Sequence, residues 1–259
     1  MALHAAPPPG YPQSVFNTCY PGVSDVIQQL AADPTILTPL RRCQVEALEA
    51  IRVRFRSANH QLIQIVELPT GCGKSTVALL APYVTNATRV LIVTPSLVIT
   101  NILANTVHRV VRSSGIYPAD LDASCFTPRW QKIDNSAQIP AARLNNDLLI
   151  VNAHKFGTSS NMKITDIPND AYDLVIVDEA HHYPAATWRN LIDHFHRSRR
   201  LFLTATSGYL HDAILTNQIN HMAYICDVNT AVANGWIRAM NFDEVGNRAD
   251  DWNTSVAVR

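Results

Sequence analysis

No apolar run in this chain approaches the roughly 18–20 residues that a membrane-spanning helix needs, so no such span is expected. The first ten residues, Met1-Ala-Leu-His-Ala-Ala-Pro-Pro-Pro-Gly10, have neither the basic flank nor the apolar stretch of a secretory signal. Cysteine is sparse and unpatterned. Cys19, Cys43, Cys72, Cys125 and Cys226 are an odd set with no Cys-x-x-Cys pair. This argues against a disulfide framework or a zinc ribbon and fits a reducing, intracellular compartment, cytoplasmic or nuclear. Charge is short as well. Charged residues make up 16% of the chain against about 25% in an average soluble domain. The 21 Lys+Arg balance the 21 Asp+Glu, which removes the footprint of a dedicated nucleic-acid coat and leaves room only for a local basic groove. What is plentiful is apolar: 47% of 259 residues, enough core for one large domain or two small ones, and too much for a disordered chain.

The first 22 residues carry three consecutive prolines and then Gly10, Pro12, Pro21 and Gly22, the composition of an extended or disordered tail. Ser24 then stands where it could cap a short helix reaching Ala31, and 39–57 reads as a longer helix with Pro39 near its first turn. Beyond it, continuous apolar runs at 62–68, 90–94, 148–151, 174–177, 201–204 and 223–226 alternate with helical patterns at 75–84, 97–111 and 185–195. Continuous runs suit strands covered on both faces, and their alternation with helices predicts an α/β fold with a mostly parallel sheet flanked on both sides. The stretch 118–140 is the least regular and reads as an insertion or loop.

Two segments carry chemistry. The first is Glu67-Leu-Pro-Thr-Gly-Cys-Gly-Lys-Ser-Thr76, a strand end, a glycine loop and a helix start. Glycines let backbone N–H groups curl around a phosphate, and the helix N-terminus adds its positive end. In such a loop Thr70, Gly71, Cys72, Gly73, Lys74, Ser75 and Thr76 contact the nucleotide, Lys74 reaches the β- and γ-phosphates, and Ser75 ligates Mg²⁺. Leu68 departs from the general pattern, which has glycine there. The second segment is Leu174-Val-Ile-Val-Asp-Glu-Ala-His-His182, a buried run with two carboxylates at its end. Ligands of open parallel sheets bind at that edge. Asp178 is placed to hold Mg²⁺ and Glu179 to activate water, which phosphoryl transfer beside a phosphate loop requires.

Together these segments resemble the superfamily 2 helicases and translocases of the DEAD/DEAH type. The resemblance covers about residues 37 to 207 and implies a RecA-like fold that binds ATP and Mg²⁺ and works on DNA or RNA. Further pieces take their roles from it. Leu40-Arg-Arg-Cys-Gln44 is similar to the segment whose glutamine reads the adenine edge. Thr94, Pro95 and Ser96, with Asn152 and His154, are similar to strand-end contacts with a nucleic-acid backbone. Thr204-Ala205-Thr206 is similar to the turn that couples hydrolysis to domain movement, and His181 to the relay beside Glu179. The Asp-Glu-Ala-His-His form looks closest to the branch of type III restriction motor subunits and UvrB-like proteins. On this reading the tail spans 1–22, the lobe 23–227, and 228–259 begins the connection to a second lobe.

Other residues have plainer readings. Thr94 and Ser96 can cap the next helix, which is compatible with a phosphate contact. His181, His182, His194 and His196 lack the cysteine or carboxylate that would complete a zinc set. The arginines at 41, 42, 52, 54 and 56, and those at 197, 199 and 200, read as solvated faces. No Gln-x-x-Gly-Arg-x-x-Arg stretch follows Thr206, so a second lobe with arginine fingers is expected in cis or in trans. Two functions are left by the sequence: the ATP-binding lobe of a nucleic-acid-dependent ATPase, or a nucleotide-binding module without turnover.

Overall fold

Seven strands pair into one sheet in the computed structural model, which describes residues 13–57, 63–117, 126–156, 163–210 and 222–238. The strands are β1 (Ile63–Glu67), β2 (Val90–Thr94), β3 (Trp130–Ile133), β4 (Leu148–Asn152), β5 (Leu174–Asp178), β6 (Arg199–Thr204) and β7 (Met222–Ile225). Their order is β3-β4-β2-β5-β6-β1-β7, and every pair is parallel. All strand C-termini therefore meet at one edge. The helices are α1 (Val15–Ala32), α2 (Arg42–Ser57), α3 (Lys74–Val84), α4 (Leu97–Ser113), α5 (Ile139–Asn145), α6 (Ala186–His194) and α7 (Val228–Ala233).

Strand residues alternate between two apolar clusters, one on each face. Ile92, Ile150, Ile176 and Leu203 join the cluster that includes residues of α1, α2, α3 and α4. Leu91, Val93, Leu149, Val151 and Val177 join the one that includes residues of α5 and α6. Coverage of both faces is why the central strands read as continuous apolar runs and not as alternating ones.

Three expectations are corrected. The segment Val15–Gly22 is not tail but the first part of α1, which runs unbroken through Pro21 to Ala32. Ser14 supplies the cap, its hydroxyl accepting from the Phe16 amide, so Ser24 is a buried interior residue and not a cap. Phe16, Cys19, Val23, Ile27 and Leu30 recur at helical spacing on one buried face, and their burial outweighs the proline signal. Residues 1–12 lie outside the described residues. The irregular stretch also contains structure, namely the edge strand β3 and, overlapping its end, α5. Finally, Arg199 and Arg200 are not a solvated face. They begin β6 and are 7% and 8% exposed. Arg199 pairs with Asp173 at 3.0 Å, and Asp173 also accepts from the amides of Thr88 and Arg89. Arg52 of α2 is buried too, bound to Glu49.

The helix expected from Pro39 starts at Arg42. Gln44, in its first turn, reaches back so that its Oε1 accepts from the Arg41 amide at 2.9 Å, the half of a capping box that glutamine supplies. No helix among the described residues is long and apolar enough to cross a membrane.

Candidate functional site

The phosphate-loop segment leaves β1 at Glu67 and enters α3 at Lys74. Gly71 and Gly73 take left-handed backbone, φ +92° and +85°, which turns the chain tightly into the helix. The Thr76 amide already donates to the Gly73 carbonyl at 3.0 Å, while the Lys74 and Ser75 amides before it have no preceding helical carbonyl to bond and are placed to form an anion seat. Thr70 and Gly71 are exposed, while Ser75 and Thr76 are half-buried at the helix start. Cys72 is fully buried and sits beside the thiols of Cys43 and Cys226, so only its main chain borders the loop. Burial and these neighbours push the Cys43 thiol up to about 12.

Gln44 is turned onto this loop. Its Nε2 donates to the Cys72 carbonyl at 3.1 Å, and Arg41 Nη1 donates to the Gly71 carbonyl. Arg41 was not singled out by the sequence, where it is one of several arginines in a row. Beside these groups opens a cavity of about 390 Å³ whose walls include Leu40, Arg41, Gln44, Gly71, Thr76 and Val110.

Across β6 from the loop, β5 delivers Asp178 and Glu179. Asp178 is 3% exposed. Burial, and then the charge of Glu179, raise it to about 6, against a smaller opposing pull from Lys74. Glu179 holds left-handed backbone at φ +52° and starts a 3-10 turn, Ala180–His182. Its Oε1 lies 3.4 Å from Lys74 Nζ and its Oε2 lies 3.4 Å from His181 Nδ1. That ring nitrogen is buried and makes no hydrogen bond among the described residues. The His181 ring lies against His182, centroids 4.4 Å apart, and His182 stacks on Trp188 of α6 at 5.7 Å. Burial and the adjacent His181 ring hold His182 below the ordinary histidine value, and His154 adds to that direction.

Between the two carboxylates and the loop stands the end of β6. Thr204 Oγ1 donates to the Thr206 carbonyl and accepts from the Thr206 amide, closing the turn around Ala205. The Ser207 amide donates to Glu67 Oε2 at 2.9 Å, which ties this turn to the strand carrying the loop. Glu67 escaped the sequence reading because nothing local marks a strand-end glutamate as a tie.

The structure thus brings Lys74, Asp178, Glu179, His181 and the Thr204–Thr206 turn to the strand-end edge bordering the glycine loop. The family described as type III restriction enzyme, res subunit, matches residues 37–208, a span that contains all of them. The chain belongs to this family. Among solved structures, similarity extends to a protein described as an HsdR subunit of a type I restriction enzyme from Vibrio vulnificus, at 15% identity and TM-score 0.51, covering 83% of this chain and 35% of that one. It extends to the UvsW helicase of bacteriophage T4, at 14% identity and TM-score 0.46, covering 72% and 59%. A SWI2/SNF2 ATPase core from Sulfolobus solfataricus, solved in complex with dsDNA, is similar at 15% identity and TM-score 0.44, covering 64% and 32%. The match thus spans less than two thirds of each of these relatives. At such identities the likeness is one of fold. A search of curated proteins finds no match. As a res-subunit family member with this fold, the chain is an ATP-binding first lobe of the helicase type.

The remaining expected residues lie farther along the same edge. Ser96 caps α4, its hydroxyl accepting from the Ile99 amide at 3.2 Å. The Thr94 hydroxyl is fully buried against Thr100 Oγ1 and the Val151 carbonyl, so Pro95 and Ser96 are the accessible members of their motif. Asn152 pairs with Thr94 in the sheet register. It is 2% exposed and accepts from the His154 amide through Oδ1. Its Nδ2 has no hydrogen-bond partner among the described residues. The His154 side chain is exposed.

Proposed function

We propose that this chain binds Mg·ATP at the β1–α3 loop and serves as one side of a nucleic-acid-dependent ATPase. The observation that carries the reading is the meeting of Lys74 with Glu179, 3.4 Å apart, at the point where a glycine loop becomes a helix. A buried lysine ammonium at such a seat is matched to phosphate oxygens. Thr70 to Thr76 would surround the phosphates, and the cavity beside Arg41 and Gln44 has the size for a base and ribose. To place its amide on an adenine edge, Gln44 would have to share or exchange its bond to Cys72.

Ser75 and Asp178 fit a Mg²⁺ ion. The hydroxyl and carboxylate are both hard oxygen donors, and Asp178 is buried and forms no ion pair among the described residues. Bound there, the ion would neutralise charge on the phosphates. Glu179 would orient and deprotonate the attacking water, with His181 beside the carboxylate's other oxygen. Thr204, Ala205 and Thr206 would transmit the state of the nucleotide, since their turn is bonded to the loop strand through Glu67. Nucleic acid would lie along Pro95, Ser96 and His154, held by its backbone. A second lobe, in cis or in trans, would complete the charge around the γ-phosphate.

The decisive test is a calorimetric titration with Mg·ATP. Lys74→Ala removes a charge-assisted partner worth roughly 1.5–3 kcal/mol, so affinity should fall at least about tenfold. Unchanged affinity would sink the assignment.

A further inference from the structure

The side chains around Glu179 continue past His181 in an unbroken line. Lys74 meets Glu179, Glu179 meets His181 and His181 lies on His182. His182 is stacked nearly parallel, at 20°, on Trp188, which is 5% exposed and anchored in the core. Beyond Trp188, α6 packs against the 3-10 turn Ala153–Phe156, which carries His154 and is tied to the end of β4 by the bond from the His154 amide to Asn152 Oδ1. The line therefore joins the nucleotide edge to the strand end assigned above to nucleic acid. His182 is the ring of this line that lies on both His181 and Trp188.

Two features make this line able to respond. Glu179 holds a left-handed backbone that a non-glycine residue rarely adopts, so its seat depends on what packs behind it. The 3-10 turn behind it ends in His182, whose ring is exposed to solvent except where it lies on Trp188 and His181. A ring so placed can shift along the Trp188 face at low cost, because offset stacking tolerates sliding. A strand pressed against His154 would push on the turn that α6 packs against, and through α6 on Trp188.

We propose that His182 is a positioning residue through which nucleic acid at the β4 end adjusts Glu179 and Lys74, by ring stacking and not by hydrogen bonding. The proposal rests on the function assigned above and adds the residue that links its two sites.

The test is a linkage measurement on the full 259-residue chain, using single-stranded oligothymidylate and Mg·ATP as probes. Saturating oligothymidylate should change Mg·ATP affinity by about fivefold or more, the low end of couplings between sites. His182→Ala should bring that factor to one while Mg·ATP affinity alone stays within about twofold. His182→Phe keeps the stacking face without ring nitrogens and should retain the factor. Matched thermal unfolding of the three proteins checks the fold. A factor that survives in His182→Ala overturns the proposal, as does a factor of one in the wild-type chain when both ligands bind. Loss of the factor in His182→Phe overturns the stacking route. A chain that binds Mg·ATP but no oligothymidylate overturns this proposal and the nucleic-acid reading together. A chain that binds no Mg·ATP overturns the nucleotide reading itself, and the linkage with it.

Discussion

Lys74 and Glu179, separated by 105 positions in the sequence, face each other at 3.4 Å across the end of β6. The lysine thus has a carboxylate for a partner. Phosphate oxygens would replace it and release the carboxylate toward water.

Glu179→Gln removes the charge but keeps the shape. Mg·ATP affinity should stay within a few fold, because the lost Glu179 partner competed with phosphate for Lys74. Turnover, wherever it is measurable, should fall on the order of 10²–10⁴, the contribution of a general base. Equal losses of binding and turnover in steady-state and equilibrium measurements would make Glu179 structural.

Asp178 should make stability depend on pH in an unusual sense. Burial raises it from 3.8 to about 6. Between those values the folded chain retains a proton that the unfolded chain has released, so stability should fall as pH rises from about 4 to 6 and level off above. Asp178→Asn should remove that slope and stabilise the ligand-free chain at neutral pH, by on the order of 1–3 kcal/mol. The same variant should lose the Mg²⁺-dependent part of nucleotide binding. Denaturant titrations at several pH values, with and without Mg·ATP, separate the two effects.

Gly73→Ala should be costly. A Cβ there would collide with Gln44 Nε2, and the φ of +85° strains any side chain. Gln44 would have to leave the Cys72 carbonyl. A loss of about 1–3 kcal/mol is expected, with weaker Mg·ATP binding in the same preparation. A variant as stable as wild type would mean the loop does not hold this conformation.

Asp173→Ala should damage the opposite end of the sheet without touching the site. It strips Arg199 of its buried partner and frees the amides of Thr88 and Arg89. Breaking such a pair costs about 3–5 kcal/mol, readable as a lower denaturation midpoint. Mg·ATP affinity of the protein still folded should be unchanged.

Hydrolysis by this chain alone should be barely detectable. Arg199 and Arg200 begin β6, whereas Lys74, Asp178 and Glu179 cluster by strand ends, so neither arginine can reach a γ-phosphate. Arginine fingers contribute roughly 10³–10⁵ in comparable phosphoryl transfer. Supplying a matching second lobe should restore turnover, and brisk turnover by the chain alone would contradict this arrangement.

The sheet and the loop were readable because their signals are local and redundant. Val90–Thr94 has the same bounds in sequence and structure, and the glycine loop sits between a strand and a helix as its pattern demands. The first half of α1 was hidden by composition, since a proline-rich approach and Pro21 masked a well-spaced buried face. β3 was hidden because Trp130, Gln131 and Lys132 are only half-buried at the sheet edge, so the strand lacks an apolar run. The arginines of β6 misled because their burial depends on Asp173 and Asp193, partners that no spacing rule connects to them. At the site, residue types announced Lys74 and Asp178. The bonds of Gln44, Arg41 and Glu67 to the loop and its neighbours are products of tertiary approach and have no local signature.

β6 lies between β1 and β5, so the phosphate loop and the two carboxylates are held apart by two strand steps. Each step is about 4.8 Å, fixed by backbone hydrogen bonds. The jaw of this site therefore has a gauge of about 10 Å that side-chain substitution leaves untouched, and the stem of Lys74 is the part that reaches across it. Variation among chains with this layout would then be free to change the lining of the jaw while its width stays constant.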